Sequence, residues 1–184
     1  MGSPTTIDLA ARALPVGRYH LDPTRTIIWF KTRHLFGLGA VIGTFRLRDA
    51  ELNIAEPATA STLHVIVDAA SFETGTPRRD ADVRSTRYLD TTSYPDITFT
   101  CHDLHWQAHR WVAAGTVTAH GATAPVDVTL IDLTQEGGNL SMRASARIDR
   151  YAHQVTTGKG MAARWLAVEI TALARPQKPK PVNQ

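Results

Sequence analysis

Eight histidines, one cysteine and 17 acidic side chains give this 184-residue chain raw material for metal or acid–base chemistry, so their spacing decides what they can do. His102 and His105 stand three apart, a spacing that sends them to opposite faces of a strand. His105 and His109 flank a turn, but no nearby carboxylate or cysteine completes a familiar ligand set, and no metal site is expected. His34 closes an apolar face made by Ile28, Phe30 and Thr32, immediately before Leu35-Phe36-Gly37-Leu38-Gly39. There it either orients a ligand head group or serves as a satisfied structural residue. Gly37, Gly39 and Gly43 are spaced one residue too far apart for a dinucleotide fingerprint, and a strand follows where a helix is required. Gly158-Lys159-Gly160 lacks the rest of a phosphate loop and reads as a turn. No grouping of serine, histidine and aspartate specifies a hydrolytic triad. What remains is Arg79-Asp80, inside the polar, helix-compatible insert Thr74 to Ser85, with Pro77 placed to open a helix near 77–87.

The elements around these residues alternate with period two. Leu140, Met142, Ala144, Ala146 and Ile148 interleave with Ser141, Arg143, Ser145, Arg147 and Asp149. Eight such segments run over 26–34, 41–54, 61–69, 96–106, 110–120, 125–134, 139–149 and 164–174, separated mostly by hairpin-length breakers. In 43–54 the apolar phase slips by one residue at Asp49, as a β-bulge would make it do. Many short strands with tight turns predict an all-β antiparallel barrel or sandwich. The two long connections are 71–95, with the insert, and the glycine-containing loop 150–163. Residues 1–16 read as an extension, 17–175 as one barrel domain, and 176–184 as a disordered proline-lysine tail.

The inward face of 111–119 carries Trp111, Ala113, Gly115, Val117 and Ala119, and two strands later come Ala144 and Ala146. Eight strands enclose room for side chains or for one small ligand. The small residues either leave a tunnel or alternate with large ones to fill a tapering barrel. Met161, after two glycines, places the 153–163 segment over one barrel end as adaptable apolar packing.

A net charge of +3, with scattered basic residues, gives no nucleic-acid stripe. Cys101 cannot form an intramolecular disulfide. No apolar run approaches membrane-spanning length, and the first residues do not read as a signal peptide, so a cytoplasmic location is expected. Self-association into a homodimer stays open.

The order of motifs from Tyr19 to about Ala174 resembles the YceI-like family of polyisoprenoid-binding proteins. Tyr19-His20-Leu21-Asp22-Pro23 with Thr26, Phe30, Arg33 and His34 is similar to its opening strand, and Gly43-Thr44-Phe45 to its second. Thr74, Arg79-Asp80, Val83, Ser85, Tyr88-Leu89-Asp90, Pro95 and Phe99 match its central signature in order. Gly115, Thr118, His120-Gly121, Thr123 and Pro125-Val126 resemble its hairpin, and Ile148-Asp149-Arg150 its late strand. Asp82 and Ala152 depart from the family's usual histidine and glycine.

The resemblance implies an eight-stranded lipocalin-like barrel with one helix alongside, binding an isoprenoid quinone, polyprenyl or fatty acyl compound without catalysis or cofactor. The expected lumen residues are Phe30, His34, Phe45, Val67, Phe99, Val117, Met142, Ala144, Ala146 and Met161. The expected polar mouth is Arg79, Asp80 and Arg150. The alternative is an enzyme or stress-response factor on the same barrel, acting on a small amphiphile with His34 or His120 as acid–base group.

Overall fold

The computed structural model describes residues 5–9, 13–34 and 39–177. The expected tail beyond Gln177, and Leu35 to Leu38, lie outside them. Among the described residues ten strands form one antiparallel sheet: β1 Thr5–Thr6, β2 Gly17–Leu21, β3 Ile27–His34, β4 Gly39–Ile54, β5 Thr62–Glu73, β6 Asp96–Gln107, β7 Arg110–Ala119, β8 Ala122–Glu136, β9 Asn139–Asp149 and β10 Trp165–Pro176. The eight expected segments correspond to β3 to β10. Both β2 and β3 pair with β4 on one side and β10 on the other, so together they fill one position in the wall. With β9 pairing β8 and β10, the ring closes as an eight-stranded barrel rather than a sandwich.

A 3₁₀ turn at Pro23–Arg25 separates β2 from β3. Asp22 caps it, accepting from the Thr24 N–H at 2.9 Å and the Thr24 hydroxyl at 2.7 Å. Two-residue hairpins at Ala108-His109, His120-Gly121 and Gly137-Gly138 have positive φ at both positions, the backbone twist that suits right-twisted strands. Strand β5 extends to Glu73, beyond the expected end at 69, because Glu73 pairs with Thr44 across an irregularity in the ladder.

The register slips between Leu47 and Asp49 as the phase change requires. Two further slips, between Cys101 and Asp103 and between Leu130 and Asp132, re-aim the side chains beyond them. The first overturns the expectation for His102 and His105. With one residue bulged between them, His102 bonds Thr116 Oγ1 at 3.1 Å, and His105 meets Asp103 at 2.8 Å and Gln107 at 3.1 Å. These partners lie on one face, the outside of the barrel.

Helix α1, Pro77–Arg84, is three residues shorter than expected. Ser85 stops it by turning back on Asp82 O, with its N–H at 3.1 Å and its hydroxyl at 2.6 Å. Among the described residues no helix is long and apolar enough to cross a membrane.

A packed core occupies one end of the barrel, interrupted by a small apolar cavity of about 110 Å³ beside Leu14, Leu21, Ile54 and Leu133. Tyr19, Leu21, Leu47, Ala50, Ile54, Leu133, Leu140, Ala172 and Ala174 are buried there, and Ile7, Leu9 and Leu14 of the N-terminal segment pack against them. The other end, where α1 and the 150–164 loop gather, is built differently.

Candidate ligand-binding cavity and its mouth

Inward side chains along β9 and β10 change character from one end to the other. Leu140 and Ala174 are fully buried, and Ala172 nearly so. Further along, Met142, Ala144, Ala146 and Ile148, like Leu166, Val168 and Ile170, are only half-buried, although they point the same way. They border a cavity of about 720 Å³, within the range of small-molecule sites. The expected lumen residues Phe30, Phe45, Val67, Phe99, Val117, Met142, Ala144, Ala146 and Met161 all line it. Strand β3 carries His34, whose side chain lies outside the described residues.

The small inward residues do not all contribute space. A β-carbon on Gly115 would run first into the backbone Thr100 O and would lie 2.8 Å from Phe99 Cε2, so the neighbouring strand's backbone and the Phe99 ring together occupy the room that glycine leaves. Gly43 is likewise closed off by the backbone Glu73 O and by Phe30, whose Cζ would stand 2.5 Å from an added β-carbon. Free volume therefore comes from Ala144, Ala146 and their neighbours, with the aromatic rings as walls.

Three rings frame the mouth. Phe30 stacks on Phe72 at 5.0 Å between centroids, and Phe45 meets Phe30 and Phe72 at 5.5 and 5.4 Å. Val83 of α1 and Leu89 pack on this cluster, which fixes the helix across the rim. Sequence reading missed Phe72, because it lies beyond the expected end of its strand.

Asp80, expected as a polar mouth residue, is instead buried beneath α1 and does not line the cavity. Its carboxylate accepts from the Thr74 N–H, at 3.1 and 3.2 Å to its two oxygens, and from the Thr74 hydroxyl. Burial pushes the Asp80 carboxyl up, but those hydrogen bonds and the charges of Arg84 and Arg79 outweigh it and hold it below the usual carboxylate range. The pair is a fastening between β5 and the first turn of α1. Arg79 does line the cavity. Its Nε donates to Thr74 Oγ1 at 2.7 Å and its Nη2 to Thr76 Oγ1 at 2.8 Å and Thr74 O at 3.3 Å, which leaves Nη1 outside these bonds.

Arg150 lines the cavity yet is 8% exposed, and it serves the loop. Nε donates to Ala163 O at 2.8 Å, Nη1 to Val155 O at 2.6 Å and Thr157 O at 2.8 Å, and Nη2 to Ala162 O at 3.0 Å. Four of five N–H groups are thus taken by backbone carbonyls, which organise 155–163 into one unit over the mouth. Thr157 Oγ1 ties that unit to Arg87 O at 2.5 Å. Met161 stands on its rim, 57% exposed.

His120 does not line the cavity. Its ring sits edge-on to Tyr94, 5.1 Å between centroids, so it is placed to pack and not to reach a ligand in the lumen. A different histidine, absent from the sequence reading, does line it. His153 is 2% exposed, and its Nδ1 lies 3.1 Å from Ala122 O. Among the described residues its Nε2 has no partner, and neither does Oγ1 of Thr26, another residue of the cavity wall. No period marks His153, because it falls in an irregular loop.

A family model described as the YceI-like domain matches residues 19–174. The chain is 32% identical over 121 residues to UPF0312 protein plu2095 of Photorhabdus laumondii, covering 64% of this chain and 62% of that protein. It is 33% identical over 99 residues to Protein YceI of Shigella flexneri, covering 53% and 51%. These matches thus span between half and two-thirds of the relatives' lengths. Among solved structures, Burkholderia cenocepacia BcnA superposes with a TM-score of 0.73 at 19% identity, over 83% of this chain and 98% of that one. A polyisoprenoid-binding domain from Saccharophagus degradans superposes at 0.66 with 15% identity, over 86% and 98%.

Proposed function

Because this chain belongs to the YceI-like family, we propose that it is a carrier, which holds the apolar chain of an amphiphile in its lumen without transforming it. The observation that carries this reading is the cavity of about 720 Å³, walled by aromatic and aliphatic side chains and opening where the polar groups gather. Burying a chain there contributes about 0.8 kcal/mol per CH₂ group, so a long tail binds well with few hydrogen bonds. The polyisoprenoid binding of the Saccharophagus relative supports an isoprenoid tail, with a fatty acyl chain as the second class. Of the expected mouth residues, Arg79 is our candidate to meet a polar head, through Nη1, since Arg150 is engaged by its own loop; Arg33 and Arg87 border the same cavity. Of the two acid–base candidates in the catalytic alternative, His120 stands outside the lumen and the side chain of His34 lies outside the described residues.

The test combines two measurements. Mass spectrometry of organic extracts from the purified protein should find a long-chain apolar compound. Ala146→Phe should then reduce uptake of a fluorescent long-chain probe at least tenfold while the circular dichroism spectrum stays unchanged. A protein that carries nothing and binds no long-chain probe would end the carrier reading.

A further inference from the structure

The proposal deepens the carrier reading and rests on it: we propose that His153 selects ligands whose head carries a hydroxyl, such as a long-chain alcohol or a prenylated phenol. A carbonyl oxygen can only accept, so the contact between His153 Nδ1 and Ala122 O places the hydrogen on Nδ1. The neutral imidazole then presents only a lone pair at Nε2. That atom is buried and has no partner among the described residues, and His153 is one of the residues that border the cavity. A buried acceptor without a donor is a standing cost, which a ligand donor removes. Nε2 is closed to a water molecule from the lumen as well as from outside, so a hydroxyl of a seated ligand reaches it only when the ring or its neighbours move.

The chemistry excludes as well as admits. Ethers, esters and quinone carbonyls, like fully ionised carboxylate or phosphate oxygens, have no hydrogen to give to Nε2. A quinol fits where the matching quinone does not. Thr26 Oγ1, the other unpartnered atom in the wall, both donates and accepts and so imposes no such choice.

The test compares farnesol, farnesyl methyl ether and farnesyl phosphate by competition against a fluorescent probe. The native protein should bind farnesol about tenfold more tightly than the ether, the value of one well-made buried hydrogen bond. His153→Phe should lose that preference while its affinity for the ether stays within twofold. In ¹⁵N-histidine-labelled native protein, the Nε2 resonance of His153 should move on adding farnesol and stay in place with the ether. That arm decides the matter if the variant does not fold. Equal binding of alcohol and ether, a preference that survives in His153→Phe, an unmoved Nε2 resonance, or phosphate binding tighter than alcohol overturns the His153 assignment alone. If none of the three binds, the carrier reading falls and takes this inference with it.

Discussion

The two ends of this barrel share strands, yet one is a core and the other a container. At the closed end the N-terminal segment supplies Ile7, Leu9 and Leu14 over the packed Tyr19–Leu47–Leu133–Leu140 group. At the mouth no such plug exists among the described residues. The rim is an aromatic triad, a short helix and a loop whose carbonyls are gathered by one guanidinium. The difference teaches that inward and apolar are not the same as filled. Leu140 and Ala146 share a strand and a face, and only position along the axis separates a core residue from a cavity wall.

The largest effect that tests this contrast is Leu140→Ala, which should cost about 2–5 kcal/mol, read as a fall in denaturant midpoint. A loss under about 1 kcal/mol would mean that the closed end is not a tight core. Next comes the fastening beneath α1. Asp80→Asn should cost about 1–3 kcal/mol by mismatching the Thr74 donors. The same residue sets a pH dependence. The Asp80 carboxyl is held below its usual value near 3.9, so its contribution is complete above the unfolded value and drains away as pH falls through the folded one. The variant should therefore show a flatter acid limb in stability against pH, and parallel acid limbs would contradict the assignment.

A like-for-like pair sharpens the comparison further. Ala50, 1% exposed at the closed end, has no room, and Ala50→Leu should overpack and cost about 1–3 kcal/mol. Ala146→Leu adds the same atoms toward the cavity and should cost less than about 1 kcal/mol. Equal costs would show that the lumen is not free space. The smallest effect is Met161→Ser at the exposed rim, with stability within about 0.5 kcal/mol. Its readout is kinetic: a long-chain probe should leave faster once the rim loses its apolar cover.

Strand existence was legible because alternation is a local property, and even the slip at Asp49 could be seen in the apolar phase. The slip before Asp103 could not, since the polar run around it has no phase to break, and with it went the facing of His105. Sizes on one strand did not reveal what stands opposite. Gly115 looked like free space until the register brought Phe99 against it. The lumen residues could be read from period two, but the mouth could not, because residues such as Asp80, Arg150 and His153 take their roles from backbone contacts that no local pattern records. Arg-Asp adjacency suggested a shared polar surface, whereas the two side chains turn to different tasks.

Strand β8 outruns its neighbour. Its ladder with β7 ends at Thr129, while its ladder with β9 continues to Glu136. A strand with one unpaired flank is a template for another chain. Here Thr5 and Thr6 pair with Gln135 and Thr134, and the Ile7 N–H reaches Leu133 O at 2.9 Å. Two threonines thus cover an edge that would otherwise be open to pairing with another chain.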